Sequence, residues 1–145
     1  MTVTSLRAQE NVEESRWETA VRCIKKYEGW HGPEHHPYVA YGHRIRKGEK
    51  FPARLTESEG DSILRKDLKE MCALFRHLGK DSLLIACLAY QVGPYKLLGY
   101  GRIPKSTLIR KLEAGNRDIY ADFIRYCHYK GKKIPSIERR RKEEY

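Results

Sequence analysis

A carboxyl group at the inner end of an apolar helix face is a candidate proton donor, and Glu28 holds that position. Trp17, Ala20, Val21, Ile24 and Tyr27 precede it at three-and-four spacing, and Gly29 follows it as a helix stop. Partial desolvation there favours the protonated form near neutrality, the state a glycosidase acid requires; the alternative is a carboxylate that caps a helix or pairs with an arginine. Asp67 is a second carboxylate in an apolar setting, flanked on its helix by Ile63, Leu64, Leu68 and Met71, so it needs a partner. His43, on the same side of a strand as Val39 and Tyr41, could supply one and fasten a hairpin to a helix. His31, His35, His36 and His43 also lie close to Glu28, and imidazole is a common zinc ligand. The spacing H-x3-H-H on a Pro/Gly loop fits no helix-borne HExxH site, so no metal and no cofactor is expected.

These residues must be held by a small number of elements. Ser15 and Glu18 form an S-x-x-E box, which predicts a helix starting at Ser15 and a flexible arm over residues 1–14 ahead of a single domain over 15–145. Residues 29–37, rich in Pro, Gly and His, form a loop. Val39, Tyr41, His43 and Ile45 alternate with Ala40, Gly42, Arg44 and Arg46, predicting a hairpin over Tyr38–Phe51 with its turn at Lys47-Gly48. Thr56 and Glu59 make another capping box, opening an amphipathic helix to about Leu78. A buried central helix, capped by Asp81 or Ser82, runs through Leu83–Tyr90, and Gln91-Val92-Gly93-Pro94 ends it. Short helices follow over Ser106–Leu112 and from Asn116 to about Lys130, with a charged, solvated helix over Pro135–Tyr145. The fold class is therefore α+β, mainly α, with a small β-hairpin lobe and a helical lobe.

At 145 residues the chain is the size of one domain. Its 29 Lys and Arg against 19 Asp and Glu leave a net charge of +10, which favours polyanionic partners without choosing among nucleic acid, anionic lipid and wall polymers. Cys23, Cys72, Cys87 and Cys127 form no CxxC pair and sit beside apolar residues, so they read as reduced core residues. No apolar run is long enough to span a membrane, and residues 1–15 hold no signal-peptide core; export by another route, or a leader beyond this sequence, is implied.

The stretch Lys26-Tyr27-Glu28-Gly29, followed by Tyr38-Val39-Ala40-Tyr41-Gly42-His43, resembles the phage-type lysozymes of glycoside hydrolase family 24. In them a helix ending in Glu-Gly leads to a T-x-G-Y-G-H-like hairpin strand. Leu55-Thr56 with Glu59 and Lys66-Asp67-Leu68 is similar to the family's capped helix, and Tyr90-Gln91-Val92-Gly93 to its central helix end. Ser106-Thr107-Leu108-Ile109-Arg110-Lys111-Leu112 resembles its S-T-L-L-R-K-L segment. The closing G-L-x-x-R-R-x-x-E stretch is matched by Gly131 to Tyr145, with Pro135 and Arg139-Arg140-Arg141.

The resemblance implies a two-lobed lysozyme-like domain with substrate in the cleft between lobes, and Glu28 as the general acid that protonates the glycosidic oxygen between N-acetylmuramic acid and N-acetylglucosamine. It implies that His43 and Asp67 are a structural pair, and it suggests Gln91 and Tyr126 as cleft residues. Trp30 could stack on a sugar face. Family members usually carry an Asp nine residues after the Glu and a Thr six beyond that. Here the loop is about five residues shorter; counting back from His43 puts Tyr38 at the Thr position and Gly32 at the Asp position, and no aspartate lies between Glu28 and His43. Glu34 and His35, with His36 beside them, are the groups able to replace the base, and Tyr38 would position water or substrate.

The expected partner is peptidoglycan, acted on in the periplasm or cell envelope by a monomer, with no nucleic acid and no membrane span. Two other readings remain. The missing aspartate is compatible with a catalytically silent wall-binding module, and the charge with the Arg139-Arg140-Arg141 run motivates a nucleic-acid-binding helical protein, although acids are interspersed and no nucleic-acid motif appears.

Overall fold

The computed structural model describes the backbone of residues 3–145 and the side chains of residue 12 and residues 14–145. Among these, seven α-helices and two short antiparallel hairpins give the mainly helical α+β class that the sequence predicts. The chain divides into two compact units, Met1–Arg65 and Lys66–Tyr145.

In the first unit, α1 (Val3–Glu28) is longer than expected. The arm over 1–14 begins with two residues that lie outside the described ones, and from Val3 onward the backbone is helical, so Ser15 does not start the helix. Residues 3–14 contain good helix formers and neither Pro nor Gly, so nothing stops the helix before Ser15. The Ser15 carbonyl accepts a bond from Thr19 Oγ1 (2.8 Å). The apolar face is as predicted: Ala20, Val21 and Ile24 are buried, joined by Cys23. Gly29, at φ +69°, ends the helix by donating its N–H to the Lys25 carbonyl (3.1 Å), a left-handed cap that a Cβ would disfavour.

The hairpin is smaller than the alternation suggested. Strands β1 (Tyr38–Val39) and β2 (His43–Arg44) pair antiparallel with Val39 opposite His43. The chain reverses at Ala40-Tyr41-Gly42, where Ala40 (φ +53°) and Gly42 (φ +90°) are both left-handed, and not at Lys47-Gly48. That second site is a separate turn, closed by Glu49 N–H to the Arg46 carbonyl (3.0 Å). Tyr41 explains the difference, since it lies between the strands in the turn and yet continues the Val39–His43 alternation in sequence.

Helix α2 (Glu57–Leu74) starts in this unit with the expected reciprocal box: Glu59 N–H donates to Thr56 Oγ1 (3.1 Å) and Thr56 N–H to Glu59 Oε1 (3.0 Å). An ion-pair net then ties α1, α2 and the hairpin turn together. Lys25 Nζ reaches Glu57 (2.9 Å) and Asp61 (2.6 Å), while Arg65 holds Asp61 (2.7 Å) and grips both oxygens of Glu18 (2.7 and 2.9 Å). Tyr41 adds a hydroxyl bond to Glu57 (3.1 Å). Glu57 and Asp61 are i,i+4 neighbours on α2, so one lysine bridges both.

In the second unit α2 stops at Leu74 rather than near Leu78, and a 3-10 stretch (Arg76–Asp81), broken at Gly79 with φ +60°, leads into α3 (Ser82–Val92). Ile85, Ala86, Cys87, Leu88 and Ala89 are all buried there, as a helix apolar on every side requires. With Phe75, Leu97, Leu108, Ile109 and Phe123 this helix forms the unit's core, each fully buried Leu, Ile or Phe contributing about 1.5–3 kcal/mol. After α4 (Tyr95–Leu98) comes α5 (Thr107–Glu113), capped by Ser106 Oγ accepting from Ile109 N–H (3.2 Å).

The helix expected from Asn116 to Lys130 shrinks to α6 (Tyr120–Ile124) followed by a hairpin of β3 (His128–Tyr129) and β4 (Lys132–Lys133). Asn116 Oδ1 accepts from Asp118 N–H (2.9 Å), so its side chain makes a turn instead of starting a helix. Lys130 (φ +51°) and Gly131 (φ +79°) supply the two left-handed positions of a tight hairpin turn.

Helix α7 (Pro135–Glu144) corrects the picture of a solvated charged face. Arg140 and Arg141 are 3 % and 0 % exposed, and Glu144 pairs with both, to Arg140 at 3.1 Å and Arg141 at 3.0 Å. None of the four cysteines is in a disulfide; Cys23, Cys87 and Cys127 are buried and Cys72 is half-buried.

Candidate active site

Glu28 is the last residue of α1, half-buried, and its carboxylate is brought against the hairpin turn. A Cβ placed on Gly42 would stand 3.0 Å from Glu28 Oε2 and 3.5 Å from its Cδ. Glycine at 42 therefore answers two demands, the φ of +90° and the close approach of the carboxylate. The same point is 3.8 Å from His31 Cε1, so the sequence-distant turn and the sequence-near imidazole meet at Glu28.

His31 is anchored by its own backbone and ring. Its N–H donates to the Ala40 carbonyl (2.8 Å), and its Nδ1 lies 3.1 Å from both the Gly29 and the Ala40 carbonyl oxygens. The ring packs edge-on against His35 (5.2 Å between centroids) and is tilted to Tyr38 (6.2 Å). The sequence marks His31 only as one of a histidine cluster; its i+3 spacing from Glu28 across Gly29 is the signal that singles it out. Among the described residues no group of three or more His, Cys, Asp or Glu is arranged to hold a metal.

Glu34 and His35 occupy a 3-10 turn, Pro33–His35. The Glu34 side chain is 69 % exposed and folds back over its own loop, its oxygens 2.7 and 2.9 Å from where a Cβ on Gly32 would stand. His35 Nδ1 accepts from Gly32 N–H (3.2 Å), so the 3.4 Å approach of Glu34 to that nitrogen is not bridged by a proton in the same state. A cavity of about 500 Å³ opens beside this loop, lined by Trp30, His31, Glu34, His36, Tyr38 and Arg54 among others. Glu28 and His35 are not among its lining residues.

Trp30 is 41 % exposed but has a structural footing: its ring meets Tyr41 edge-on (5.2 Å, 82°) and covers Gly60, where any Cβ would collide with it at 2.5 Å. His43 is buried, and its Nε2 pairs with Glu49 Oε1 (2.9 Å), a partner that sequence reasoning did not name. Glu49 also accepts Arg46 N–H (2.6 Å), and the two bonds, His43's first, hold its carboxyl below the ordinary range. Asp67 is half-buried on α2.

In the second unit Gln91, exposed near the end of α3, accepts a bond from the buried Arg141 guanidinium. Tyr126 lines a cavity of about 370 Å³ with Ser106, Thr107, Leu108, Asp122 and Arg125. Burial raises its phenol, against the opposing effect of its bond with Ser106.

Residues 19–144 match the family model of the phage lysozymes. The chain belongs to the phage lysozyme family. Membership makes it a glycoside hydrolase by class, directed at peptidoglycan in the cell envelope. No curated protein matches the chain significantly. No helix among the described residues is long and apolar enough to cross a membrane.

Proposed function

We propose that the chain is a muramidase, cleaving the β-1,4 bond between N-acetylmuramic acid and N-acetylglucosamine with Glu28 as general acid. The observation that carries this reading is the Glu28 carboxylate packed against the Gly42 turn, its Oε2 3.0 Å from where a Cβ on that glycine would stand, between a left-handed helix end and a left-handed hairpin turn. A proton donor must be fixed to within a few tenths of an ångström of its target, and two rigid backbone reversals do that better than a free loop. Family resemblance supplies the substrate, and the net charge of +10 suits an anionic wall polymer.

In an inverting reaction a second group takes a proton from a water on the opposite face of the sugar ring. Glu34 and His35 are the carboxylate and the imidazole that the sequence offers for that step, with Tyr38 positioning water or substrate. Trp30, Gln91 and Tyr126 are proposed to line the sugar path, and the pairing of His43 with Asp67 is carried forward as the resemblance implies it. The test is product analysis: purified peptidoglycan digested by the wild-type protein should yield muropeptides with N-acetylmuramic acid at the new reducing end, released first as the α-anomer. No released muropeptides would leave the silent wall-binding module as the correct reading.

The nucleic-acid reading loses one of its two motives, the arginine run, and keeps the net charge of +10. Two of the three arginines in its basic run are buried and held by Glu144.

A further inference from the structure

We infer that His31 is the general base, taking the proton from the attacking water through Nε2, in place of the aspartate that the shortened loop lacks. The assignment rests on the muramidase reading and adds a residue to it.

The ring nitrogen that carries the proton decides which histidine can act as a base. Carbonyl oxygens only accept, so the two contacts of His31 Nδ1, to Gly29 and Ala40 at 3.1 Å each, place the proton of the neutral ring on Nδ1. That leaves the Nε2 lone pair as the ring's basic site, and no described residue hydrogen-bonds it. His35 is set the other way: Gly32 N–H donates to its Nδ1, so the neutral ring carries its proton on Nε2 and has no lone pair to offer. Glu34 is mostly exposed and turned onto its own loop.

Position points the same way. Glu28 Oε2 and His31 Cε1 lie 3.0 and 3.8 Å from one point above Gly42, which keeps those two atoms within about 7 Å of each other. Both groups therefore stand at the same hairpin turn. His31 also lines the 500 Å³ cavity, so a water there can reach its ring. The backbone bond to Ala40 and the packing of His35 and Tyr38 fix the ring, as a base aimed at one water requires.

The water oxygen bonds to the anomeric carbon of the muramic acid residue while one of its protons passes to His31 Nε2. The bond from that carbon to the leaving oxygen breaks, and the Glu28 carboxyl proton goes to the leaving oxygen. Solvent then returns the proton from His31 to Glu28.

The experiment compares His31→Asn and His31→Ala with wild type on solubilised glycan strands. The Asn amide can still donate to the Gly29 and Ala40 carbonyls, so folding, read by melting temperature, should persist while kcat/KM falls by about 10²- to 10⁴-fold. Azide, which attacks without a base, should restore turnover to His31→Ala and give the α-glycosyl azide, the inverted product. Activity of His31→Asn within about threefold of wild type, or rescue by azide of Glu34→Gln or His35→Asn in place of His31→Ala, overturns the assignment and leaves the muramidase reading intact. An inactive wild-type protein refutes the muramidase reading itself.

Discussion

Replacing Gly42 by alanine puts a methyl group at a point 3.0 Å from Glu28 Oε2 and 3.8 Å from His31 Cε1. Two effects follow, and a second glycine separates them. A Cβ-bearing residue at φ +90° is strained by about 1–2 kcal/mol wherever it occurs. Gly48 has nearly the same φ, +87°, but open space around its Cβ position, so Gly48→Ala carries the strain alone. At Gly42 the carboxylate must also retreat by a few tenths of an ångström to reach ordinary contact. A misplacement of about 1 Å can reduce turnover about 10²-fold, so a shift of this size should lower kcat/KM by roughly tenfold. Both variants should therefore melt lower by similar amounts, and only Gly42→Ala should clear cell-wall suspensions more slowly. Equal activity in the two variants would refute the idea that the hairpin turn positions Glu28.

Other expectations follow from the ion pairs and caps. Lys25, then Arg65, hold the Asp61 carboxyl below its ordinary range, so this residue stabilises the folded state above that range and loses its contribution as pH falls through the lowered folded pKa. Asp61→Asn should accordingly flatten the acid side of a plot of melting temperature against pH; superimposable plots would count against the net. Glu144→Gln removes the carboxylate that pairs with both buried guanidiniums and should destabilise by about 3–5 kcal/mol, roughly 10 °C in melting temperature, whereas an unchanged melt would show that pairing to be idle. Thr56→Ala removes one half of the α2 capping box and should destabilise by about 1 kcal/mol in urea titration.

Much of this was legible in the sequence where a local rule acts alone. The Thr56/Glu59 box, the Ser106 cap and the all-round apolar run of α3 name their own positions, because capping and burial depend on near neighbours. Errors arose where one residue serves two rules. Asn116 both caps helices and closes turns, and here it closes a turn. Tyr41 is in phase with Val39 and His43 as in a strand, yet it sits in the reversal. The Arg140-Arg141 pair looks like surface charge until Glu144, one helical turn away, is counted as its neutralising partner. At the site, Glu28 was visible through its face and its family motif. Glu49, Gly42 and the carbonyls that orient His31 were not, because each depends on a turn geometry that leaves no periodic mark.

The claim that Glu28 is the proton donor is tested most directly by measuring hydrolysis of purified peptidoglycan by Glu28→Gln, with wall binding and melting temperature recorded on the same preparation. The amide nearly matches the carboxyl in shape and has no acidic proton to give, so binding and folding should persist while turnover falls by about 10²- to 10⁴-fold. Wild-type turnover by Glu28→Gln would contradict the account.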